Sequence, residues 1–467
     1  MASQFLPLRF LMIAAAALFL TPALSFAQAG GGGGDDGGAA GGGVEINADG
    51  VLSLRAIPQN GQVLNRQRAA AAKASLNRDL ATRSNMRKVS LNRLEAEIKK
   101  LKDAGQPIPM DMRYLAGMTR ITHVFYYPET KDIVIAGPAE GFFKSAGNRV
   151  LGADSGAATL ALEDLVVALR AFGPDGNRAR VIACSIDPTQ QGLATLKKTI
   201  PEVFANWQRG NVNDVQVAQA FQAALGMQTI TVKGISPSTN FARVIIEADY
   251  QMKLIGIGLA DTPVGIVRFI DRATAADGGD SLKRWYFQPN YDCVHVNQDE
   301  TAMQLVGSGV KLVGANESIA NNGARAASKK VSRASQNYCT SFTKKYDRLA
   351  EQVPLFAELR NCVDISIAAA FIQEMDFYGQ AEWDMELFGS EKDFPVERFN
   401  APTQVPSAVN AVRKGGAFMT PIGGGVNIQA RQAIQSDNMV VDEKGVIDEA
   451  KVDDKIGKLA EGQWWWD

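Results

Sequence analysis

Two local arrangements in this chain have residue types and spacing suited to chemistry. In the segment Phe241 to Leu259, Asp249 and Lys253 form an i,i+4 carboxylate–ammonium pair on a predicted helix. Phe241, Val244, Ile245, Ala248, Met252 and Ile255 form its apolar stripe, and at 100° per residue Asp249 sits about 80° from Phe241, at the stripe's edge. A carboxylate there is either a perturbed acid or base or one half of a satisfied structural pair. In the second arrangement, Cys293 and His295 stand two apart on a predicted strand and so share a face. A thiolate beside an imidazole begins a nucleophilic pair. No orienting acid is marked in the sequence, and a core cysteine beside a half-buried histidine gives the same pattern. Together with Arg284 these residues define one expectation, a cofactor-free extracytoplasmic hydrolase. It requires Asp249, Lys253, Arg284 and His295 to converge on one concave pocket.

Other chemistries find less support. His123 and His295 are the two histidines, and no His/Cys ligand spacing for zinc is visible. Neither Asp35-Asp36 nor the acidic C-terminal stretch follows a calcium-loop pattern. Thr420-Pro-Ile-Gly-Gly-Gly-Val426 lacks the Gly-Lys-Ser/Thr ending of a phosphate loop and is expected to be a tight turn between strands. No metal and no cofactor are therefore expected. The four cysteines are Cys184, Cys293, Cys339 and Cys362. Helix spacing places Cys339 and Cys362 too far apart for a disulfide across a helical hairpin.

The elements that must position these residues follow from periodicity. Gln62 to Lys102 contains no Pro or Gly and is rich in Ala, Leu, Arg and Lys, so one long basic helix is expected over 62–104. Leu91, Leu94, Ile98 and Leu101 repeat at 3-4-3 spacing, a short coiled-coil seam. That seam either docks on the globular part or joins two copies into a homo-oligomer. Residues 111–431 make the globular region. Ile121–Tyr127 and Asp132–Ala136 flank Pro-Glu-Thr-Lys as a β-hairpin. Helices are predicted over Thr159–Phe172, from Asp187-Pro188 to Trp207, and over Asp214–Leu225. Arg180–Ile186 and Gln228–Lys233 are predicted strands. Arg284–Gln288, Asp292–Asn297, Met303–Val306 and Val310–Val313 alternate as a four-strand antiparallel meander. Ser335–Gln352 and Leu355–Tyr378 form a buried helical hairpin. This mixed order predicts an α+β fold.

The Phe241–Leu259 segment, Arg284-Trp-Tyr-Phe-Gln-Pro-Asn-Tyr-Asp-Cys293, Gly309-Val-Lys-Leu-Val-Gly314 and Pro354-Leu-Phe-Ala-Glu-Leu-Arg-Asn361 resemble exported planctomycete proteins that carry the domain of unknown function 1598. The resemblance is strongest over about 236–373. It implies export and a shared domain. It brings no activity with it, and no residue inherits a catalytic role.

The ends of the chain bear on location. Arg9, the apolar run Phe10–Leu20, Pro22 and the small-x-small sites near Ala27 predict a secretory signal peptide over 1–29, shorter than a membrane span. Residues 30–61 begin with a glycine-rich tether, and Val44–Leu54 reads as a short strand. Residues 432–467 are an acidic tail ending in Trp464, Trp465 and Trp466. Gln62–Asp103 holds 11 Lys/Arg against 4 Asp/Glu, and Ser436–Asp467 holds 4 against 9. These regions and the three tryptophans are candidate contacts for a protein or cell-envelope partner, unless the tryptophans fold back on the chain's own domain. The whole chain has 467 residues and a net charge of -1, so no global field favours nucleic acid. The leading expectation is an exported soluble protein, periplasmic or extracellular, with a binding or structural role and no evident catalytic motif.

Overall fold

The computed structural model describes residues 43–55, 61–176, 179–274, 277, 281–320, 322, 324–328, 332–413, 417–418 and 422–467. The predicted signal peptide and most of the glycine tether lie outside them. These described residues form a single contact unit. It mixes helices with two seven-stranded sheets, consistent with an α+β fold.

The first sheet runs in the order Arg325–Ala327, Val310–Ile319, Ser281–Pro289, Ile422–Ile428, Ile182–Pro188, Met227–Lys233, Gln404–Pro406. The second runs Met439–Val441, Val294–Val296, Ala302–Leu305, His123–Tyr127, Asp132–Ala139, Ser84–Ser90, Trp465–Trp466. In the second sheet, alternate residues enter different cores. Val124, Tyr126, Ile133 and Ile135 join the main core with Ile365, Ile367 and Phe371 of helix Pro354–Glu374. Phe125, Tyr127, Val134 and Ala136 join a second core with Ile447, Ile456 and Trp466. Both faces are covered, which is why these strands read as nearly unbroken apolar runs.

Helix Pro354–Glu374 is buried on almost every side. Helix Asn240–Gly256 packs between it and the central strands of the first sheet. An aromatic cluster of Phe287, Phe342, Tyr346 and Phe356 ties the strand Ser281–Pro289 to the helical hairpin, with ring centroids 5.4–6.3 Å apart.

Several sequence expectations are corrected. Residues 62–104 are not one helix. They fold as helix Gly61–Ser75, a short helix Arg78–Ala81, strand Ser84–Ser90 and helix Leu91–Asp103. Asn77 and Ser90 act as N-caps, each accepting a backbone N–H, and so break the run. Arg87 of the new strand is fully buried, and its guanidinium donates to the carbonyls of Asp79, Leu80, Thr82 and Ala116 and to the Asp467 carboxylate. The coiled-coil seam is interior: Leu91, Leu94 and Ile98 are at most 1% exposed and Leu101 packs against the same core, so they are not available to a second copy.

The meander is also corrected. Ser281–Pro289 and Val310–Ile319 pair in the first sheet, whereas Val294–Val296 and Ala302–Leu305 pair in the second. Alternation shows that a strand has two faces, but not which sheet it joins. Glycine-rich Ile422–Ile428 is a central strand, not a turn. Gly424 has φ +136°, and a Cβ there would lie 1.8 Å from the Trp285 carbonyl oxygen, while one at Gly425 would lie 1.9 Å from that of Cys184. The glycines let neighbouring backbones close in. Thr189, not Asp187, caps helix Gln190–Gln208. Val44–Leu54 is a two-strand hairpin, not one strand. The acidic tail covers the outer face of the second sheet; Trp464 and Trp466 are 4% and 3% exposed, and Trp465 is half-buried beside Arg87, so they are not free contact surfaces.

Candidate functional site: the polar face of the first sheet

Strand Ile182–Pro188 alternates strictly. Ile182, Cys184, Ile186 and Pro188 are buried, while Ala183, Ser185 and Asp187 are half-buried on the opposite face. Register carries that second face across the sheet. Thr229 stands beside Asp187, and Thr231 beside Ser185. Ser185 faces Gly425, which faces Tyr286. Ala183 faces Asn427, and Gln288 faces Lys311. The result is a surface of hydroxyl, amide and charged groups, with the glycine strand contributing no side chains between Ser185 and Tyr286. Helices Gln190–Gln208 and Asp214–Leu225 cover one end of this face over Leu282 and Ile319. Thr229 and Thr231 are exposed, and Arg284, Tyr286, Gln288 and Asn427 half-buried.

Asp187, Glu317, Arg284 and Arg325 neutralise one another on this face, while Lys311 stands beside Gln288 and Lys233 beside Ala183. The Arg284 guanidinium donates to Asp187 at 2.8 Å and to Glu317 at 2.9 Å. Arg325 lies 3.5 Å from Asp187 and 3.7 Å from Glu317. Two carboxylates and two guanidiniums thus form a closed four-member network. Arg284 also sits 5.3 Å from the centroid of Tyr286, whose phenol burial pushes up to about 12 despite the neighbouring guanidinium. Tyr286 therefore stays neutral at physiological pH.

Asp249 and Lys253 lie on the other side of the same sheet. They pair at 2.8 Å with side chains 0% and 4% exposed. Lys253 also donates to the Ile186 carbonyl at 2.7 Å. Burial pushes Asp249 up to about 6, against the opposing pull of Lys253. The pair belongs to the core, and its ammonium holds a strand carbonyl in place.

Cys293 and His295 are elsewhere. Cys293 is fully buried just before strand Val294–Val296, and His295 is half-buried opposite Gln304 and Val440 in the second sheet. The convergence that the hydrolase expectation requires is therefore not assembled: Arg284 lies on the polar face of the first sheet, Asp249 and Lys253 on its other side, and His295 in a different sheet. Burial also raises the thiols of Cys184 and Cys362 well above the usual range and that of Cys339 to about 12, unfavourable for thiolate chemistry. The four cysteines are buried and unbridged. Among the described residues, no group of three or more His, Cys, Asp or Glu side chains is arranged to hold a metal ion.

Sequence reasoning passed over Asp187, Glu317, Arg325 and Tyr286. Asp187 looked like a helix cap because Pro188 follows it, and Glu317 lies beyond the predicted end of its strand. Tyr286 was legible: its half-period from Trp285 and Phe287 puts it on the face opposite the core.

Fold and site define an α+β protein with a hydrogen-bonding sheet surface that contains a self-neutralised ion-pair network. Within it, residues 184–269 match the family described as Protein of unknown function (DUF1598). The matched stretch contains Asp187, Asp249 and Lys253 and ends before Arg284. No curated protein and no solved structure matches the chain.

Proposed function

We propose that this is an exported protein with a binding role, and that the polar face of its first sheet takes a neutral polyhydroxylated ligand of the carbohydrate class. The observation that carries this reading is the pairing of Arg284 with both Asp187 and Glu317 beside half-buried Tyr286. A network already neutralised from within has no charge to offer an ion. It can hold donors and acceptors in fixed positions for hydroxyl groups, and a phenol ring gives an apolar platform for a sugar face. Ser185, Gln288, Asn427, Thr229 and Thr231 extend the same chemistry along the strands. Catalysis is not part of this reading, because the Asp249–Lys253 pair is buried on the other side of the sheet. Export rests on the pattern of the first 29 residues. Among the described residues, no helix is long and apolar enough to cross a membrane.

Affinity electrophoresis in gels containing soluble polysaccharides tests this reading. Wild-type protein is expected to be retarded by at least one neutral polysaccharide, with retardation little changed by added salt. Tyr286→Ala is expected to migrate freely while keeping its far-UV circular dichroism spectrum. Free migration of the wild type in every neutral polysaccharide, or identical retardation of the variant, contradicts the proposal.

A further inference from the structure

We propose that a second site, a cavity where the end of helix Pro354–Glu374 meets the segment Gln429–Met439, binds a short peptide with free termini. The cavity has a volume of about 910 Å³, at the upper end of the range for small-ligand sites. Its apolar lining is Met375, Ile434 and Met439, and no aromatic ring occurs among its described lining residues.

The walls are fixed before any ligand arrives. Segment Gln429–Met439 leads from the central strand Ile422–Ile428 of the first sheet to the edge strand Met439–Val441 of the second. Ala430, Ala433 and Ile434 anchor it in the main core. Asn438 donates its side-chain N–H to the Gln432 carbonyl at 2.7 Å and its backbone N–H to the Gln435 carbonyl at 2.8 Å, which fixes the turn. Arg431 pairs with Glu374 at 3.3 Å and ties the segment to the helix end. Arg180, just before strand Ile182–Pro188, adds a third element to the lining.

The polar groups left unengaged point to a peptide. Arg180 and Asp437 are exposed to the cavity, and their side chains have no hydrogen-bond or ion-pair partner among the described residues. The cavity therefore offers a free cation and a free anion together. The side-chain carboxamides of Gln429, Gln432 and Gln435 are equally unengaged among the described residues. A carboxamide presents an N–H donor and a carbonyl acceptor side by side, the complement of a peptide group. A guanidinium forks onto a terminal carboxylate, and a carboxylate accepts from a terminal ammonium. Methionine side chains adapt to apolar groups of different shape, which suits a site that reads backbone and ends. Sugar faces pack on aromatic platforms such as Tyr286 provides on the sheet face, and the described lining of this cavity has none.

Isothermal titration of the full protein with the tripeptide alanyl-leucyl-alanine tests the assignment, with its C-terminally amidated form, its N-acetylated form and maltotriose as comparison probes. The free tripeptide is expected to bind, and amidation or Arg180→Gln is each expected to weaken it at least about fivefold. Amidation removes the group that Arg180 contacts, so it is expected to cost nothing further in Arg180→Gln, a coupling that general damage to the fold does not produce. Acetylation and Asp437→Asn are expected to be coupled in the same way. Both positions are exposed, so both variants are expected to melt with wild type. Tyr286→Ala must leave tripeptide binding unchanged, which keeps this site distinct from the sheet face. Absence of binding at millimolar tripeptide, tighter binding of maltotriose, or losses that simply add in either pair overturns the proposal.

Discussion

At the scale of single residues, burial sets the ionisation of three groups, and their effects on stability oppose one another. Asp164 is 8% exposed and accepts from Asn240; burial pushes its carboxyl up to about 7. Its unfolded value is near ~3.9, so between about pH 4 and pH 7 the folded state keeps a proton that the unfolded state has lost, and stability falls as pH rises. Asp249, pushed up to about 6, acts in the same direction over a shorter window. His123 acts oppositely. Burial, aided by Lys88, lowers it to about 4, so stability rises with pH until its unfolded value near ~6.5 is passed. Comparing wild type with Asp164→Asn isolates the first effect. The melting temperature of the variant minus that of wild type is expected to grow by at least about 2 °C between pH 4 and pH 8. A difference that stays flat across this range contradicts the account of Asp164. The sequence disclosed the Asp249–Lys253 pair by its spacing. It did not disclose that Asp249 is fully buried, because position at the edge of a stripe leaves open what packs over that edge.

Elements were legible where local pattern and tertiary environment agree. The hairpin of His123–Tyr127 and Asp132–Ala139 and the helices Asp214–Leu225 and Asn240–Gly256 fall where periodicity placed them. Strand Ser84–Ser90 was not legible as a strand: Met86, Arg87 and Lys88 are sound helix residues, and the strand is held by pairing with Asp132–Ala139 and by the buried Arg87 network. Tertiary contacts override weak propensity there. The glycine strand was misread for a related reason. Glycine is common in turns, and its use for close backbone approach becomes visible only once Trp285 and Cys184 are seen on either side. Gly424→Ala is therefore expected to destabilise the protein by more than about 3 kcal/mol in urea unfolding, because neither φ +136° nor the Trp285 carbonyl accommodates a methyl group. A loss below about 1 kcal/mol contradicts the close packing of these strands.

For the molecule as a whole, the two sheets are finished differently. The second has helices on one face and the acidic tail on the other, with Trp466 donating to Asp453, Lys88 pairing with the same carboxylate at 2.8 Å, and Tyr127 donating to the Lys451 carbonyl. The first has helices on one face and a partly open polar surface on the other. Composition alone located neither asymmetry, because the tail's acidity and its tryptophans suggested an exposed contact region rather than a cover. The proposed export belongs to this same scale. Amino-terminal sequencing of protein recovered from outside the cytoplasm of an expressing bacterium is expected to begin near residue 28 or 30, and an intact Met1 contradicts it. The central claim, that the polar sheet face is the binding surface, is tested most directly by hydroxyl-radical footprinting with and without the polysaccharide that retards the protein. The account predicts that Tyr286 loses reactivity when the polysaccharide is bound while the half-buried Tyr250 and Tyr291 keep theirs. Unchanged reactivity of Tyr286 in the bound state, with protection appearing elsewhere, contradicts it.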